Sequence, residues 1–166
     1  MYPVLTAGEV RTKQRVAMMP RVAQLLAIDL GLKTGFARFG DDGRLVAYRS
    51  QNYGTVSRLK KAAWSELRRV EDLAAIAVEG DAALARVWGK AATKQGAEVF
   101  AIQARTWRRA LFIERDRRTG AVAKASADVL ARRVIEASGL PRPTSLRHDA
   151  AEAICIGLWA CAQLGW

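Results

Sequence analysis

The run AQLLAID, Ala23 to Asp29, is apolar at nearly every position and then ends in a carboxylate. A strand covered on one face alternates apolar with polar residues, whereas one covered on both faces does not, so this run belongs at the centre of a sheet with layers on either side. There Asp29 is costly, because a carboxylate beside LLAI loses its water unless it is paired or bound to a cation. A second short apolar run, LAAIAVEG, ends the same way in Glu79.

The remaining pattern builds a fold around these two strands. TGFARFG (Thr34 to Gly40) and RLVAYRS (Arg44 to Ser50) flank DDG, a hairpin signal in which Gly43 supplies positive φ, so the first three strands are expected to be antiparallel. Residues about 55 to 70 set Val56, Leu59, Ala63, Leu67 and Val70 at helical spacing with charges on the other face. DAALARVWGKAATKQG then reads as a helix, AEVFAIQ as a strand and ARTWRRALF as a helix. A basic loop, ERDRRTG, leads to an Ala-rich helix from about Val122 to Ala137, stopped by Gly139 and Pro141, and a last helix runs from about Asp149 to Leu164. The expected class is α/β, a central mixed five-stranded sheet with helices on both faces. Residues 1–22 are expected to form a flexible basic arm whose Arg11, Lys13, Arg15 and Arg21 could touch nucleic acid, with Met18 or Met19 a possible start, and 23–166 a single domain.

Charge narrows the partners. Lys and Arg total 27 against 16 Asp and Glu, a net +11, and so basic a chain attracts polyanions, nucleic acid first. No apolar run approaches the ~20 residues that span a bilayer, so a membrane is not expected. Cys155 and Cys161 lie in one apolar helical segment with no zinc spacing, as two small buried hydrophobes of a reducing compartment would. The first residues lack the apolar core of a secretory signal, and the expected location is the cytoplasm.

Asp149 and Glu152, three apart at the start of the last helix, share a face with each other. Alone they also fit a helix-capping pair, and Glu79 alone fits a strand end reaching water. If the two apolar strands are neighbours and the last helix packs on them, all four carboxylates converge and repel without a cation. Hard oxygen donors suit Mg²⁺ or Mn²⁺, and two such ions roughly 3.5 to 4 Å apart can activate water and stabilise the leaving oxygen at a phosphodiester. His148, the only histidine, could shuttle a proton or ligate metal beside them, or simply open a helix. Arg105, Arg108, Arg109, Arg115, Arg117, Arg118 and Lys124 face only Glu114 and Asp116 over the same stretch, a balance that favours phosphate contact.

LAIDLGLKTGFA resembles the first strand and turn of RuvC-like Holliday-junction resolvases, members of the RNase H-like (retroviral integrase-like) superfamily. AIAVEG resembles their fourth strand with its Glu, and HDAAEAICIGLWA is similar to their last helix. The resemblance covers roughly Gln24 to Leu164. It implies an RNase H-like fold and catalytic roles for Asp29, Glu79, Asp149 and Glu152 as ligands of two Mg²⁺ or Mn²⁺ ions, with Asp29 bridging. It further implies that Lys124 neutralises charge on the scissile phosphate and that the chain acts as a homodimer on four-way or branched DNA; Gly31 and Lys33 are also expected to contact nucleic acid. Gly31 and Gly35 are expected to turn tightly beside Asp29 and admit a phosphate.

Three departures stand out. Glu152 replaces the family's usual second Asp, the turn DLGLKTG is one residue short and lacks a Pro after the Asp as in phage and mobile-element members, and the wedge aromatic after the Glu is Ala82. Trp88 is the candidate replacement wedge, with core packing or a dimer interface as its other role. A YqgF-like nuclease acting on structured RNA and a catalytically inactive binding module of the same fold are the alternatives. An actin-like ATPase needs two such domains and does not fit the length.

Overall fold

The alternation of side chains along each strand decides where this molecule keeps its core. In the computed structural model, which describes residues 21–166, five strands pair in the order β3-β2-β1-β4-β5. They are β1 Gln24–Asp29, β2 Lys33–Gly40, β3 Leu45–Asn52, β4 Leu73–Glu79 and β5 Glu98–Ile102. The first three are antiparallel, while β4 and β5 run parallel to β1. This is the mixed sheet of an RNase H-like fold. Gly43 takes φ +73 in the β2–β3 hairpin, as its sequence required.

Among the described residues there are five α-helices: α1 Val56–Arg68, α2 Ala82–Lys94, α3 Ala104–Leu111, α4 Gly120–Ala137 and α5 His148–Leu164. The basic loop ERDRRTG contains a 3-10 helix at Glu114–Arg117. On β1, Leu26 and Ile28 pack toward α1 and α2, with Phe36, Leu59, Leu67, Val78 and Trp88. Leu25 and Ala27 pack the other way, with Phe39, Ile135, Ile154 and Ile156 beneath α4 and α5. Two covered faces are the reason β1 shows no alternation. Each fully buried Leu, Ile or Val in these layers contributes about 1.5–3 kcal/mol relative to exposure.

The core also absorbs residues for which other roles were open. Cys155 and Cys161 are free and buried. Trp88 is fully buried and packs on Phe36 with ring centroids 5.8 Å apart, so it cannot wedge a junction. Of the expected arm, Arg21 pairs with Asp72 at 3.3 Å, while Arg11, Lys13, Arg15, Met18 and Met19 lie outside the described residues. No helix among the described residues is long and apolar enough to cross a membrane.

Candidate active site

Asp29 and Glu79 are register partners at the ends of the parallel pair β1 and β4. Counting by twos from Leu25 and Ala27, Asp29 points to the α5 side, and Glu79 follows Ala75 and Ala77 to the same side. In the antiparallel direction the same transverse row continues from Asp29 to Gly35 and from Gly35 to Ser50. The row Ser50, Gly35, Asp29, Glu79 is the floor of the site.

The first turn of α5 lies on that floor at Gly35. A Cβ there would stand 1.9 Å from the Asp149 carbonyl oxygen and 2.8 Å from the Ala150 nitrogen. Neither Gly31 nor Gly35 has positive φ. The expectation that Gly35 clears room for a phosphate is therefore corrected: it clears room for the backbone of α5. Gly31 sits in the tight turn, where a Cβ would meet the Lys33 carbonyl oxygen at 3.1 Å, and Thr34 Oγ1 donates to the Gly31 carbonyl at 2.6 Å.

Docked this way, α5 delivers its acids to the floor. Its N-cap is Arg147, without a side-chain capping bond, so Asp149 and Glu152 are not a capping pair. Asp149 accepts a hydrogen bond from the Ser50 hydroxyl. Glu152 is almost fully buried and accepts from Arg108 Nη2 at 2.5 Å. The Arg108 guanidinium also lies 5.1 Å from the ring centroid of Trp107.

The electrostatics record how crowded these acids are. Burial, then the Glu152, Glu79 and Asp149 carboxylates, push Asp29 up to about 8, and its contact with Glu152 is favourable only while one of the two holds a proton. Glu79 is also pushed up, chiefly by burial and then by Glu152, against the pull of the nearby Trp107 indole and of Arg108. That indole N–H makes no full hydrogen bond. Arg108 thus faces Glu152 and Glu79, while Asp29 stands among carboxylates alone.

A cleft of about 500 Å³ opens over the site, lined by Asp29, Lys33, Lys124, Leu146, Arg147, His148, Asp149 and Glu152. The expected residues Lys33, Lys124 and His148 are thus gathered here on the exposed rim. Arg105, Arg109, Arg115 and Arg118 are exposed on α3 and the following loop. Two of the expected phosphate contacts are engaged elsewhere: Arg108 is turned inward onto Glu152, and Arg117 donates to the Phe112 carbonyl at 3.2 Å. Sequence reasoning missed Ser50, Arg147 and Trp107. Ser50 is found only through strand register, and Arg147 only through the true start of α5.

Whether these residues suit a divalent cation is decided by their donor chemistry. Four carboxylates supply hard oxygen donors, and Asp29 is raised first by burial and then by the three carboxylates beside it, both of which a bound cation would relieve. The donor set fits such an ion. In the present rotamers Glu152 is committed to Arg108 and Asp149 to Ser50, and among the described residues no three carboxylate, histidine or cysteine groups stand as a ready ligand set.

No family model matches the chain, and no curated protein matches it. Among solved structures it is similar to the large terminase nuclease from thermophilic phage G20c, at 13% identity and TM-score 0.47, covering 86% of this chain and 83% of that one. It is also similar to a ROK family protein from Streptococcus pneumoniae TIGR4 in complex with sucrose, at 20% identity and TM-score 0.36. That match covers 48% of this chain and spans about a third, 34%, of the other.

Proposed function

We propose that the protein is a divalent-metal-dependent endonuclease that cuts branched or four-way DNA. The observation that supports this reading is the meeting of Asp29, Glu79, Asp149 and Glu152 at one sheet edge inside a chain of net charge +11. Asp29, Glu79, Asp149 and Glu152 would hold Mg²⁺ or Mn²⁺, which when bound supplies an activated water and charge neutralisation at a phosphodiester.

The chain's own residues do the rest. Asp29 and Glu79 stand on adjacent strands of a packed sheet, so their positions are rigid and ordering them at the moment of reaction costs little. Arg108 neutralises part of the acid charge and holds Glu152 in place, and Ser50 fixes the Asp149 rotamer. Lys124 and Lys33, on the rim of the cleft, draw in the phosphate backbone. His148, at the water-exposed mouth, is in position to pass a proton between bulk water and the cleft. A symmetric junction presents two equivalent strands, and a homodimer with two such clefts belongs to the same proposal.

The test is incubation with a labelled four-way junction and Mg²⁺, beside Asp29→Asn. Cleavage by the native protein alone supports the reading. Equal cleavage by both, or by neither, removes it, and preferential cleavage of structured RNA moves the protein to the YqgF-like alternative.

A second reading, a binding module without catalysis, is favoured by the Arg108–Glu152 pair, in which a guanidinium already neutralises one of the acids. Calorimetry with Mn²⁺ separates the two. Absence of binding heat at millimolar metal, with junction binding undiminished by chelator, supports the module.

A further inference from the structure

The outer face of α1 lies across the sheet from the cleft and has no part in it. Its acid is turned inward: Glu66 is the helix's only carboxylate and is buried. Outward it carries Arg58, Lys60, Lys61 and Arg68, all exposed. Among the described residues, Arg58, Lys60, Lys61 and Arg68 have no carboxylate within ion-pairing distance. Helical spacing places Lys60, Lys61 and Arg68 four before, three before and four after Trp64, so the three cations surround one aromatic ring. Trp64 is 43% exposed, in contrast to Trp88 and Trp107, which are fully buried.

A helix face of one charge sign with an uncovered tryptophan at its centre offers a partner two features at once. Arg58 and Lys61, three apart on the helix, repel each other, and the exposed indole gains nothing from water. Single-stranded nucleic acid satisfies both at once, since its phosphates pair with the cations while a base stacks on the indole. A closed duplex offers the phosphates but keeps its bases stacked on one another.

The track also leads to the cleft. Strand β3 ends at Asn52, the register partner of Lys33, and the Tyr53 amide donates to the Leu32 carbonyl at 2.8 Å. The helix therefore starts at the sheet edge that carries Asp29 and descends from it. From Arg58 to Arg68 it offers about 15 Å of cationic surface.

We infer that the outer face of α1 binds an unpaired strand of the substrate, with phosphates on Lys60, Lys61 and Arg68 and a base stacked on Trp64. This rests on the nuclease reading above and narrows its substrate to branched DNA with an unpaired segment beside the cut.

Binding is measured without metal in the Asp29→Asn protein, so that no cleavage enters the result. Fluorescently labelled oligothymidylate, oligouridylate and a blunt duplex are titrated over a range of salt. Lys60→Ala/Lys61→Ala/Arg68→Ala is expected to reduce the slope of log affinity against log salt for the oligothymidylate by about 2, at roughly 0.7 for each phosphate that is no longer neutralised. Trp64→Ala is expected to weaken the same oligonucleotide about 5- to 100-fold with the slope unchanged, and Trp64→Phe to restore most of it.

Native affinity and slope in the triple variant overturn the inference. So does a Trp64→Ala effect no larger on the oligonucleotides than on the blunt duplex. The inference also falls if the triple variant loses only binding to phosphatidylserine vesicles, and preference for oligouridylate over oligothymidylate overturns DNA as the strand. Cleavage of a junction by the native protein is read separately, so either proposal can fail without the other.

Discussion

Two nearly buried glutamates, Glu66 and Glu152, each accept from an arginine at 2.5 Å, and there the likeness ends. Glu66 on α1 is one acid among donors: Arg49, the Tyr53 hydroxyl at 2.8 Å and Arg69 at 3.4 Å all point to it. Arg49 is held in turn over the Phe36 ring, 4.3 Å from its centroid. Glu152 on α5 is one of four gathered acids, and the arginine turned inward reaches only it and Glu79. The first cluster is satisfied and ties α1 to β3. The second keeps an unrelieved repulsion. A buried acid by itself is therefore no mark of a site; the ratio of acids to donors around it is.

The sharpest way to separate the clusters is activity. Asp29→Asn should lower junction cleavage on the order of 10³-fold or more, the loss of several kcal/mol of stabilisation at the reacting phosphate. Glu66→Gln should leave cleavage within a few fold. Quantified cleavage rates with Mg²⁺ check both, and a matching loss in Glu66→Gln would erase the distinction.

Moving α5 should damage one cluster and spare the other. Gly35→Ala forces a Cβ into the Asp149 carbonyl, and the expected cost is about 3 kcal/mol in chemical denaturation, with cleavage lost because Glu152 leaves Asp29. Tyrosine titration should show the Tyr53 hydroxyl still pushed up by burial and Glu66.

Stability should separate the two glutamates in sign. Glu66→Ala strands Arg49 and Tyr53 and should cost about 2 kcal/mol, less than a fully buried pair because Arg49 and Arg69 are partly in water. Glu152→Gln, measured without metal, should be neutral or slightly stabilising, since it removes one of the crowded carboxylates while the amide oxygen can still accept from Arg108. Paired urea titrations test this.

The dependence on pH reads the second cluster alone. Asp29 has a folded pKa of about 8 against 3.8 as its ordinary value, so the folded protein keeps a proton that the unfolded chain has released. Its contribution is fully present below about pH 4 and is lost as pH rises toward 8. Thermal melts in chelator should fall over that window, Asp29→Asn should flatten the fall, and Mn²⁺ should offset it. Melts that rise over the same window would show that the acids are not crowded.

Much of this was legible in advance. Ala23–Asp29 announced a central strand because an apolar run without alternation has only one comfortable place in a sheet, and Asp29 at its end stood out for the same reason. The assignment of Trp88 needed the fold, because periodicity cannot tell a buried indole from an exposed one on a helix of mixed character. Arg108 and Ser50 were equally out of reach, since the first reads as one more cation in a basic stretch and the second as an ordinary strand serine.

By itself, then, the amino-acid order determined the strands, the helices, their sequence along the chain and the four acids, because those rest on local spacing and on the cost of burying charge. Tertiary structure alone decided that Gly35 seats α5, that Ser50 and Arg108 take up two of the acids, and that α1 shows water a tryptophan ringed by cations. Those outcomes depend on which strand neighbours which and how close a helix comes to a sheet. Such distances arise between residues far apart in the chain, where local patterns carry no information.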